Sequence, residues 1–77
     1  MALSELPKCS GLQTANTLVR FGWVIRKKGT HIVLTKEGSR IHLSIPNHRQ
    51  VDRALLHEQL KKAGIKDKDF KEMFDKF

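Results

Sequence analysis

Apolar residues recur along the chain with two different periods, and the change of period divides it into elements. Leu12, Ala15, Leu18 and Val19 fall at helical spacing, which gives a helix one apolar face. Ser10 precedes them with Gln13 three residues on. In this S-x-x-Q arrangement each side chain accepts from the other residue's otherwise unpaired backbone N–H. Phe21 and then Gly22 close this first helix. From Trp23 the pattern alternates: Trp23 to Arg26, a turn at Lys28-Gly29, His31–Thr35, a turn at Lys36–Ser39 containing Gly38, and Arg40–Ile45 ended by Pro46. These segments read as three short antiparallel strands.

Parity then sorts the strand residues. A four-residue loop at Lys36–Ser39 sets Thr35 opposite Arg40, Val33 opposite His42 and His31 opposite Ser44; a two-residue loop at Lys28-Gly29 sets Arg26 opposite His31. Residues opposite one another share a side of the sheet. One side therefore carries Trp23, Ile25, Ile32, Leu34, Ile41, Leu43 and Ile45, a core face. The other carries Val24, Arg26, His31, Val33, Thr35, Arg40, His42 and Ser44, a basic and open face with His31 beside Arg26 and diagonal to His42.

Helical spacing returns with Leu55, Leu56, Leu60 and Ala63, stopped by Gly64. Asp67 is placed to cap a short last helix bearing Phe70, Met73, Phe74 and Phe77. That stripe reads as a buried face rather than a platform for stacking bases. The expected fold is α+β, ordered α-β-β-β-α with a short C-terminal helix, and a three-stranded antiparallel sheet with helices on one face.

At 77 residues the chain is expected to be one domain, 1–77, burying only about 60% of its unfolded surface. Function then belongs on a surface or shallow groove. Cys9 is the single cysteine, so no internal disulfide forms and a zinc site lacks its usual ligands. A reducing cytoplasm is the expected location. Met1 to Ser10 lacks the basic and apolar regions of a secretion signal, and no apolar run approaches the roughly 20 residues that span a bilayer. Neither secretion nor a membrane partner is expected.

Charge sharpens the picture. The net charge is +7. Residues 1–50 hold eight Lys and Arg against Glu5 and Glu37, whereas residues 51–77 hold seven against six acidic groups. The positive field arises in the first part, where Arg26, Lys27, Lys28, Arg40 and Arg49 form a footprint suited to phosphate. Within it His31 is the sharpest chemical candidate. RNA carries its own nucleophile, the 2′-hydroxyl, so cleavage needs proton transfer and charge stabilisation more than a protein nucleophile. Histidine exchanges protons near neutral pH, and the adjacent cations can hold the phosphate. The same residues also suit an exposed histidine that only contacts phosphate. His42 and His48 are candidate helpers or phosphate contacts, His57 falls on the polar side of its helix and reads as inert, and no carboxylate or cysteine joins His31 and His42 at metal-ligand spacing.

Several segments together resemble one family. "LPKCSG" stands ahead of the first helix, "FGW" closes it, "RKKGTHIVL" occupies the place of an R-x-x-G-S/T-H segment, "IPNH" follows the third strand, and "LHEQLKKAGI" leads into "KDKDF". The chain resembles over almost its whole length the HicA, or YcfA-like, toxins of HicAB toxin–antitoxin modules. The resemblance implies a double-stranded-RNA-binding-domain-like fold and an endoribonuclease that cleaves messenger RNA with no metal cofactor. It also implies neutralisation by a HicB antitoxin covering the site. It makes His31 the catalytic residue and Gly29 the turn residue. The RNA-binding set is then Arg26, Lys27, Lys28, Gly29, Thr30, Arg40, His42 and His48. A non-catalytic RNA- or DNA-binding module of the same fold is the alternative.

Overall fold

The structure, a computed structural model, describes residues 6–76. Phe77, assigned above to the last apolar stripe, lies outside them. The order is α1 (Gly11–Val19), β1 (Val24–Lys28), β2 (His31–Thr35), β3 (Leu43–Pro46), α2 (Arg53–Ala63) and α3 (Asp67–Lys76). The strands form one antiparallel sheet in the order β1-β2-β3. This is the expected α+β layout.

One sheet face is the core. Ile32 and Leu34 of β2 and Leu43 and Ile45 of β3 are fully buried, and they join Trp23, Ala15, Leu18, Leu56, Leu60 and Phe70 in a single cluster. Helix α1 packs across all three strands, α2 against β3, and α3 against α1 and α2. The helices leave the other face of the sheet to solvent.

Both expected strand registers differ from those observed. Strand β3 starts at Leu43, not Arg40, and Val33 pairs with Ser44 instead of His42. The Ser39 N–H donates to the Lys36 carbonyl, Gly38 adopts φ +82°, and the Ser39 hydroxyl accepts from the Ile41 N–H at 3.1 Å. These local bonds hold residues 36–42 as a loop, and Ile41, expected in the core, is exposed. A two-residue slip preserves parity, so the rest of the face assignment survives. In the first hairpin, Ile25 pairs with Leu34 and Lys27 with Val33, which leaves Arg26 as an extra, bulged residue. Arg26 therefore does not face His31.

Burial in α1 also departs from the apolar pattern. Leu12 and Val19 are exposed, while Gly11, Thr14, Ala15, Thr17 and Leu18 are buried. Threonine can occupy the buried stripe because its hydroxyl bonds back into the helix. Thr14 Oγ1 donates to the Ser10 carbonyl and Thr17 Oγ1 to the Gln13 carbonyl, both at 2.8 Å. The expected Ser10–Gln13 capping box is present with both bonds. Leu55, expected on the apolar side of α2, is exposed. Asp67 begins α3, but its carboxylate engages His57 instead of capping the helix.

The start of α1 is fixed against the segment after β3. The Gly11 N–H donates to the His48 carbonyl at 2.9 Å, and the Val51 N–H to the Cys9 carbonyl at 2.8 Å. A Cβ at Gly11 would fall on the Pro46 carbonyl oxygen and within 2.9 Å of Asn47 Cα. Backbone atoms cannot swing aside as a side chain can. Gly11→Ala is expected to cost about 1–3 kcal/mol through overpacking, read as a lower urea midpoint with an unchanged slope.

Candidate nucleic-acid interface and histidine site

The bulge in β1 aims its cations. Arg26 and the next residue oppose a single stretch of β2, and both point to the open face: Lys27 pairs with Val33, and Arg26 Nε donates to Thr35 Oγ1 at 2.9 Å. That bond engages one guanidinium donor of five and holds the remainder outward. Lys28, at the strand end, pairs with Ile32. Arg26 and Lys27 thus lie on the open face, while Lys28, opposite the core residue Ile32, falls on the other side of the sheet at its His31 end. All three are exposed, and Glu37 is the single carboxylate between residues 6 and 50. A phosphate chain following these cations meets little opposing charge.

His31 is the first residue of β2, exposed, and paired with Pro46. Just before it, Gly29 and Thr30 form the turn. Gly29 does not adopt positive φ, and no atom beyond its own and its two chain neighbours' lies within 4 Å of where its Cβ would be. Neither backbone conformation nor crowding within the chain calls for glycine here. The bare turn is open to close approach from outside. His48, also exposed, follows Asn47, which bonds to this turn through the backbone N–H to the Thr30 carbonyl and through Nδ2 to the Gly29 carbonyl, each at 3.0 Å. The structure therefore brings Lys28, Gly29, Thr30, His31 and His48 to one end of the sheet.

Arg40 and His42 lie elsewhere. Both are exposed in the 36–42 loop, and His42 directly precedes Leu43, which pairs with Leu34. The length of β2 separates that end from His31 by about 13 Å, at about 3.3 Å per residue. His42 is not diagonal to His31, because the third strand starts later than the alternation suggests. Lys36, at the root of the loop, places Nζ 5.9 Å from the Trp23 ring centroid, a cation–π contact that ties the loop to the core.

Other ionisable groups have structural roles. Burial pushes the Cys9 thiol up, opposed in part by its contact with the Thr14 hydroxyl at 3.0 Å, so it is held as a thiol. His57, expected to be inert, is half-buried with Nδ1 at 2.9 Å and 3.0 Å from the two Asp67 oxygens, joining α2 to α3. Among the described residues no three His, Cys, Asp or Glu side chains are grouped to hold a metal ion. A groove of about 750 Å³ between α1 and α3, lined by Asn16, Val19, Met73 and Phe74 among others, includes none of the candidate residues.

The family model for the HicA toxin of bacterial toxin–antitoxin systems matches residues 14–65. The chain belongs to the HicA toxin family. No curated protein and no solved structure matches it significantly. The matched stretch runs from α1 to just past α2, so it includes the bulged strand, the Gly29–His31 turn and His48, and it stops before α3. Membership makes this HicA protein the toxin of a toxin–antitoxin system and implies an antitoxin partner. No helix among the described residues is long and apolar enough to cross a membrane.

Proposed function

We propose that this HicA toxin is an endoribonuclease that cuts messenger RNA without a metal cofactor, in the cytoplasm, with His31 as the proton-transfer residue. The observation that carries the reading is the exposed histidine beside a bare turn, at the end of a sheet face that carries Arg26 and Lys27, with Lys28 at the adjoining strand end. RNA lies over the open face with one phosphate beside Gly29 and Thr30. His31 takes the proton of a 2′-hydroxyl, and that oxygen attacks the adjacent phosphorus. The 5′-oxygen leaves with a proton from solvent water, and the strand ends in a 2′,3′-cyclic phosphate. Lys28 directly precedes the turn, and His48 follows Asn47, which bonds to it. They stabilise negative charge on the phosphorane, while Arg26 and Lys27 hold flanking phosphates. Arg40 and His42, at the far end of β2, bind more distant nucleotides and take no part in the proton transfer.

A HicB antitoxin silences the toxin by covering this face. Its contacting surface is expected to be acidic, because charge complementarity to the cation track speeds encounter and fixes orientation.

The phosphate contacts have a measurable consequence. Arg26→Ala is expected to weaken RNA binding and to flatten the dependence of log affinity on log salt by about 0.7, because the variant neutralises one single-strand phosphate fewer. Titrations at several salt concentrations read this directly. A slope identical to wild type means that Arg26 does not touch phosphate.

A further inference from the structure

Asn47 is exposed and adds no apolar surface to the core, yet it touches the turn that presents His31 in two places. Its backbone N–H bonds the Thr30 carbonyl and its carboxamide Nδ2 bonds the Gly29 carbonyl. The turn needs such support for two reasons. Gly29 has no side chain to pack and explores more backbone conformations than any other residue type. In addition, the ladder partner of His31 is Pro46, which has no N–H to donate. The rung beside His31 is short of a donor, and the next residue supplies two.

The support is itself anchored. The His48 carbonyl accepts from the Gly11 N–H at 2.9 Å, and α1 sits directly on Pro46 and Asn47 because Gly11 has no Cβ. The Gly29 N–H closes the turn internally by donating to the His31 carbonyl at 3.2 Å. Helix α1, Asn47, the turn and His31 thus form a continuous chain of bonded backbone. Its one link made by a side chain is the Asn47 carboxamide.

We propose that Asn47 is a positioning residue: its carboxamide fixes the Gly29–Thr30 turn so that His31 meets the RNA in one place. This rests on the reading of His31 as the proton-transfer group. Misplacement of a reacting group by about 1 Å can cost 10²-fold in rate, so loss of the clamp acts on turnover rather than on RNA affinity.

The test compares wild type with Asn47→Ala, Asn47→Asp and Asn47→Gln in the full chain, on one RNA, measuring kcat, KM and amide hydrogen exchange at Gly29. Asn47→Ala is expected to lower kcat by about 10- to 100-fold with KM nearly unchanged and faster exchange at Gly29. Asn47→Asp keeps the shape but sets a carboxylate oxygen against the Gly29 carbonyl, so its kcat falls at least as far. Asn47→Gln keeps the N–H donor on an exposed side chain with room to adjust, and restores most of the rate. Wild-type kcat in Asn47→Ala overturns the proposal, and so does a raised KM with unchanged kcat, which means that Asn47 contacts RNA directly. Wild-type protein that binds RNA without cutting it removes the ribonuclease reading and the positioning role with it. A wild type that cuts beside an Asn47→Ala that cuts equally well removes the positioning role alone.

Discussion

His31→Gln is expected to lower RNA cleavage by about 10²- to 10⁴-fold, the usual contribution of general acid–base catalysis, while leaving RNA binding in place. Glutamine is similar in length and still forms hydrogen bonds, but it cannot exchange a proton near neutral pH. The fold should be insensitive to the change, because the His31 side chain is exposed and its backbone pairing with Pro46 does not depend on it. Initial cleavage rates paired with equilibrium RNA binding separate the two effects. A variant that cuts as fast as wild type assigns the proton transfer to another residue, with His48 next in line because it lies at the same end of the sheet. A variant that loses binding and cleavage in proportion makes His31 a phosphate contact, as in the non-catalytic binding module.

Phe70→Ala is expected to destabilise the protein by about 3–5 kcal/mol, the range for removing a fully buried phenyl ring. Phe70 belongs to α3, which lies beyond the stretch that matches the HicA family model. Its ring is nonetheless completely buried in the common core and stacks with Phe74 at 6.3 Å between centroids. The His57–Asp67 contact adds a polar tie between α2 and α3. A domain of this length has a net stability of roughly 4–12 kcal/mol at about 0.05–0.15 kcal/mol per residue. The change therefore takes a large share of it, and urea unfolding should show a much lower midpoint. A change below about 1 kcal/mol, the range of surface substitutions, would mean that α3 is an appendage resting on a core complete without it.

Side-chain alternation was enough to place most of the sheet. Ile32, Leu34, Leu43 and Ile45 are buried as their parity requires, and Val24 is exposed. Period-2 patterning constrains which face a residue takes far more tightly than which residue it pairs with. The pairing depended on turn chemistry spread over residues 36–42 and on a bulge at Arg26, and neither leaves a mark in hydrophobicity. The environment of His31 shows the result. It is exposed at the start of β2, as the sequence suggests, but Pro46 pairs with it where Ser44 was expected, and Ser44 takes the place opposite Val33 expected for His42. Asn47 was hidden because its bonds to Gly29 and Thr30 join residues far apart in the chain. Arg26 with Thr35 and His57 with Asp67 are distant in sequence for the same reason. Thr14 and Thr17 look polar in sequence and become core residues only because each bonds its own helix.

The most direct test of the central claim is to incubate the purified protein with a long single-stranded RNA in EDTA and analyse the ends of the products. Cleavage that leaves 2′,3′-cyclic phosphates and 5′-hydroxyls is the predicted result, since attack by the 2′-hydroxyl needs proton transfer and cationic stabilisation but no metal. RNA that is bound with strong salt dependence yet stays intact would contradict the account and leave the open face as a binding surface alone.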